Sequence, residues 1–112
     1  MQQSNNFLIN SLLEQKTIDR GITRQIMGYD DNLMVAKVSF DSGADSGSHA
    51  HGDHSQSSYV ASGVFEVTID GECRTLRAGD GYFAARGVEH DARCIEQGVL
   101  IDTFSPIRLD CL

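Results

Sequence analysis

The chain has 112 residues, 40% hydrophobic and 22% charged, which suffices for one core and is too apolar for a disordered segment. Nine lysines and arginines against sixteen aspartates and glutamates leave a net charge of −7, a poor match for nucleic acid or an anionic membrane surface. An anionic ligand would need a local positive centre to overcome that field, such as a metal cation or one or two well-placed arginines.

The N-terminus has no basic region followed by an apolar stretch long enough for a signal peptide or a membrane span, so a cytoplasmic protein is expected. Cys73, Cys94 and Cys111 are an odd number at spacings that fit no disulfide framework and no CxxC metal site, and they are expected to be reduced thiols. Residues 1–20 carry a weak helical or irregular pattern (Phe7, Leu8, Ile9, Leu12, Leu13, Ile18) that predicts a short N-terminal arm.

From there the period is two. In residues 33–40, Met34, Ala36, Val38 and Phe40 fall on one face and Val35, Lys37 and Ser39 on the other. Residues 63–71 put Phe65, Val67 and Ile69 on one face and Glu66 and Thr68 on the other, closing in the hairpin signal Asp70-Gly71. Further turns are expected at 41–43, 78–81, 86–87 and 97–98. Short strands between regularly spaced turn signals, with no repeat or linker, predict one small all-β barrel spanning 1–112.

Three of the four histidines lie within six residues. His49 and His51 are two apart, so on a strand both imidazoles point to one side. Gln56 could rejoin that side after a turn, and His90 stands alone on the strand-like stretch 88–94. Three imidazoles and a carboxamide oxygen suit a divalent first-row metal, Zn, Ni, Mn, Fe or Co. Spacing alone leaves the alternative that these are surface histidines binding metal adventitiously.

The run G-x5-H-x-H-x4-Q-x6-G from Gly43 to Gly63, and G-x5-A-x-G-x2-H-x3-C from Gly79 to Cys94, resemble the two sequence motifs of the cupin superfamily. The resemblance implies an antiparallel double-stranded β-helix (jelly-roll) barrel, with His49, His51, Gln56 and His90 as the metal ligands. Ala85 and Cys94 stand where the family pattern carries Pro and Asn, at turn and pocket-wall positions. His54 lies outside the motif and reads as an exposed residue or one packed behind a ligand. A glutamine in place of a glutamate ligand leaves the full +2 charge of the ion, which favours an anionic substrate.

In residues 99–108 an aspartate interrupts an apolar run. Asp102 shares a face with Leu100 and Phe104, Ile101 and Thr103 take the other, and pattern alone lets either face be the interior. Outward, Asp102 is an ordinary solvated acid. Inward, it needs a cation or hydrogen bonds to offset its burial and would then serve as a general acid/base.

Residues 24–34, 55–60, 63–67 and 102–108 are moreover similar to small single-domain cupins of pectin degradation. What that resemblance implies is metal-dependent opening of the ring of 4,5-unsaturated monouronates, derived from pectin and alginate, to the linear keto-uronate. The family's D-x-F-x3-R arrangement falls on Asp102, Phe104 and Arg108, implying catalytic or substrate-contacting roles and an inward Asp102. Arg24, Arg86 and Arg93 are weaker candidates for the substrate carboxylate and read as surface charges. The partners expected are a small anionic sugar and a second copy of the chain in a homodimer. A dioxygenase or sugar isomerase, or a non-catalytic sugar-acid binding module, are the alternatives.

Overall fold

A computed structural model describes residues 1–112. Seven strands form one antiparallel sheet: β1 (Lys16–Asp19), β2 (Ile22–Tyr29), β3 (Met34–Phe40), β4 (Ser55–Ile69), β5 (Glu72–Arg77), β6 (Gly81–Ala84) and β7 (His90–Ser105). The order is β1-β2-β3-β7-β4-β5, with β6 on the free side of the first half of β4. Two long strands, β4 and β7, hold the molecule together by pairing along almost their whole length, Ser55 opposite Ser105 and Ile69 opposite His90. The first half of β4 and the second half of β7 carry β6 and β3, while the other halves carry β5 and the segment 43–49. That segment closes the barrel through backbone bonds such as Gly43 N to Cys94 O at 2.8 Å and Ser46 N to Ala92 O at 3.0 Å.

The halves meet around Gly63 and Gly98, where the pairing of β4 with β7 shifts register. Here the expected turn at 97–98 is overturned, because β7 runs straight through it. The cause is tertiary: a Cβ on Gly98 would collide with the Ser62 carbonyl oxygen and stand 2.7 Å from Gly63 Cα, so glycine is required by the crossing of two strands. Gly63, at φ +83°, meets the same neighbour from the other side. A Gly98→Ala substitution is expected to destabilise the protein by about 2–4 kcal/mol in chemical denaturation, with the loss coming from forced separation of β4 and β7.

The alternation read in 33–40 is the observed burial pattern: Met34, Ala36, Val38 and Phe40 are buried. Phe65 and Val67 face the same core, where Phe40 and Phe65 meet edge to face at 5.1 Å. The hairpin between β4 and β5 has φ +49° at Asp70 and +85° at Gly71, both positive as the tight primed turn demands. The arm is less helical than its pattern suggests. It holds one 3-10 turn, Asn10–Leu12, and then becomes the edge strand β1, whose residues are all exposed. Phe7 and Leu12 stay in solvent because no core face is left for them. No helix is long and apolar enough to cross a membrane.

Candidate metal centre and catalytic cavity

His49 and His90 exchange both backbone hydrogen bonds, 3.0 and 2.8 Å, which makes them directly opposed residues whose side chains rise from the same face. Their rings lie 4.4 Å apart, and the His51 ring is 4.8 Å from His49 and 5.3 Å from His90. One ligand nitrogen from each of the three comes within 4.8 Å of the others, a group that could hold a metal ion. Gln56 reaches the same place from the start of β4, its Oε1 at 3.2 Å from His90 Nε2.

The hydrogen bonds around this group test whether a cation suits it. His90 is flanked by two acceptor-only oxygens, Val88 O at 3.0 Å from Nδ1 and Gln56 Oε1 at 3.2 Å from Nε2. A neutral imidazole can donate to only one of them. Burial lowers the His90 pKa, which disfavours the doubly protonated ring that would satisfy both. A metal ion held by His90 and Gln56 would remove the conflict, leaving Nδ1 to donate to Val88 O. His49 is tied in the same way, Nδ1 2.8 Å from Gly47 O. His51 Nε2 is buried with no hydrogen-bond partner, and burial, reinforced by Arg108, holds its pKa down at about 4. Three imidazoles and a carboxamide oxygen make a donor set that fits a divalent transition metal.

Gln56 is fixed by its other end. Its Nε2 donates to Ser58 Oγ at 3.0 Å and lies 3.4 Å from the hydroxyl of half-buried Tyr82, whose pKa burial raises. Ser58 in turn donates to Asp102 Oδ1 at 2.7 Å. A buried chain therefore runs from the Gln56 carboxamide through Ser58 to Asp102. Asp102 points inward with Leu100 and Phe104, so the outward alternative fails. Burial pushes its pKa up to about 6, against the opposing effects of the Ser58 hydrogen bond and the Arg108 charge.

Arg108 lies past the end of β7, its guanidinium 4.9 Å over the Phe104 ring and paired with Asp110 at 2.8 Å. Its Nε is buried without a partner, a donor left for a ligand. These side chains line one cavity of about 250 Å³, closed on the apolar side by residues such as Val38, Phe40 and Leu100. The site residues named from the sequence are thus brought together: His49, His51, Gln56, Asp102, Phe104 and Arg108 line the cavity, and His90 adjoins it.

Of the two readings of His54, the one behind a ligand is the structure's: it is buried with its ring 4.4 Å from His51 and 5.4 Å from Phe104, outside the metal-compatible group. Two expectations change. Cys94 is not a pocket-wall residue, because it packs in the core with its thiol 3.8 Å from Phe40 O and 3.0 Å from Glu96 O. Arg24 is not a surface charge. It lines the cavity, whereas Arg86 and Arg93 are exposed. Ser58 and Tyr82 escaped the sequence reading, although the in-phase spacing of Ser58 from Gln56 was a usable signal.

A family model described as the cupin domain matches residues 36–104. The chain is 48% identical over 93 residues to the pectin degradation protein KdgF of Dickeya dadantii (strain 3937), covering 82% of this chain and 84% of that one. Its fold is similar to the crystal structure of an RmlC-like cupin from Shewanella frigidimarina NCIMB 400, at 46% identity and TM-score 0.96 over 100% of both chains. It is also similar to the structure of KdgF from Halomonas sp., at 38% identity and TM-score 0.93 over 97% of this chain and 100% of that one.

Proposed function

The chain belongs to the cupin family, and we propose that it opens the ring of 4,5-unsaturated monouronates derived from pectin and alginate. One cupin domain over 1–112, working as a cytoplasmic homodimer, is the unit we assign to this reaction. The observation that carries the reading is a buried Asp102, its pKa raised by burial, on the wall of the cavity that the histidine group shares with Arg108. The 48% identity to a pectin degradation protein supports a substrate derived from pectin. A volume of about 250 Å³ suits one sugar ring, since drug-sized ligands occupy pockets of about 300–1,000 Å³.

The reaction is an isomerisation. The substrate is a cyclic enol ether with a hemiacetal at C1 and a carboxylate on C5. Removal of the C1 hydroxyl proton forms the C1 carbonyl and breaks the bond from C1 to the ring oxygen. The electron pair stays on that oxygen as an enolate, and protonation at C4 gives the linear keto-uronate.

His49, His51, Gln56 and His90 would hold a divalent cation, which when bound supplies a Lewis acid for the carboxylate and for the charge developing on the ring oxygen. Asp102 takes the hydroxyl proton and returns it at C4, a role suited to a carboxylate poised near pH 6. Ser58 fixes Oδ1 of that carboxylate by donating to it, which leaves Oδ2 for the substrate. Arg108 offers its unpartnered Nε to a carboxylate or hydroxyl, and Phe104 supplies an apolar wall that also seats the guanidinium.

The test is the loss of ultraviolet absorbance of unsaturated galacturonate and mannuronate in the presence of pure protein. Loss faster than the spontaneous rate is expected for the metal-loaded protein. The spontaneous rate for both sugars would sink the enzyme assignment, and binding without turnover would favour a sugar-acid binding module.

A further inference from the structure

The cavity holds a second arginine. Arg24 lies on β2 opposite Val38 of β3, and Val38 faces the interior, so the register turns Arg24 inward as well. Its guanidinium makes two long contacts, Nη1 at 3.4 Å from Cys111 Sγ and Nη2 at 3.5 Å from Cys111 O. Neither neutralises it. The molecule has two ion pairs, Arg74 with Glu72 and Arg108 with Asp110, and Arg24 is in neither despite sixteen acidic residues in the chain.

Both cavity arginines converge on the C-terminal 3-10 turn, Leu109–Cys111. Arg108 precedes it and Arg24 touches its last residue, and the two charges act together on the Cys111 thiol. Asp110 answers one of the two. The cavity holds two carboxylates, Asp19 and Asp102, and neither pairs with Arg24, so this half-buried guanidinium retains most of its donors for a ligand.

We infer that Arg24 is a substrate-binding residue that, together with Arg108, forms a two-guanidinium clamp for the carboxylate of the sugar acid. The inference rests on the uronate reading above and adds to it a residue outside the histidine motifs and the C-terminal D-x-F-x3-R stretch. Arg24 sets the preference for acid over neutral sugar and takes no part in proton transfer. Its loss therefore weakens binding without slowing the bound substrate.

The test compares wild type with Arg24→Gln, Arg24→Lys and Cys111→Ser. Turnover of unsaturated galacturonate is measured alongside calorimetric binding of two unreactive probes, galacturonate and neutral galactose. Arg24→Gln is expected to raise KM and weaken galacturonate binding by about 10- to 100-fold, the worth of one charged hydrogen bond. Its kcat and its galactose binding should stay within about threefold, and Arg24→Lys should recover part of the anion preference.

Unchanged galacturonate affinity in folded Arg24→Gln, judged by its melting temperature, overturns the inference. So does an equal loss in Cys111→Ser, which would mean that Arg24 only braces the turn. Wild type that binds neither probe overturns it as well. Wild type that binds galacturonate but turns over nothing ends the ring-opening reading alone, and the probe comparison still decides on Arg24.

Discussion

Replacing Asp102 by asparagine is expected to cut kcat for uronate ring opening by about 10²- to 10⁴-fold, the usual worth of one positioned acid/base group. Asparagine keeps the size and the oxygen that accepts from Ser58 Oγ, so the barrel and the Gln56 orientation survive. What is lost is the proton carrier. The same substitution is expected to stabilise the metal-free protein above pH 6. In the fold, burial lifts the Asp102 pKa from 3.8 to about 6, so the carboxyl is favoured in its protonated form. Its contribution is complete below pH 3.8 and is lost as pH rises through about 6. The shift corresponds to roughly 3 kcal/mol. Histidines such as His51, whose pKa is lowered, act in the opposite sense over an overlapping range and are common to both proteins. The comparison is therefore wild type minus variant in denaturant melts at pH 4 and pH 7. A variant that is slower but no more stable at pH 7 would mean that Asp102 is better solvated than its surroundings indicate.

Stripping the metal is expected to return ring opening to the spontaneous rate, and reloading with Zn, Ni, Mn, Fe or Co to restore it to different extents. The physical ground is His90, whose two ring nitrogens lie against the acceptor oxygens of Val88 and Gln56, so that a neutral ring leaves one of them without a donor unless a cation is held there. Binding to the folded site alone also stabilises the fold, by about 2.7 kcal/mol when free metal is a hundred times its Kd. Melting temperature should rise with added metal and should stop responding in His90→Ala. Full activity in protein shown by elemental analysis to be metal-free would overturn the metal assignment and leave Asp102 and Arg108 to act alone.

Much of the site was legible because its chemistry is local in sequence. His49 and His51 two apart, Gln56 five further on and a lone His90 are brought together by the one backbone pairing of His49 with His90. The alternation of β3 and the Asp70-Gly71 turn were legible for the same reason, since strand period and turn chemistry act over a few residues. Period two tells which side chains share a face and is silent on which face is inside. Asp102 was therefore ambiguous until β7 took its register between β3 and β4, with Ala36 and Ser58 on either side. Arg24 was read as a surface charge because its strand was not singled out, and it turns inward only through pairing with Val38. Gln97-Gly98 reads as a turn in isolation, yet it is the point where β4 and β7 approach too closely for a side chain. By itself the sequence determined the residue types, their shared faces and the histidine group. The long-range register of β7 against its two neighbours decided which face became the interior, because only packing across the sheet distinguishes one face from the other.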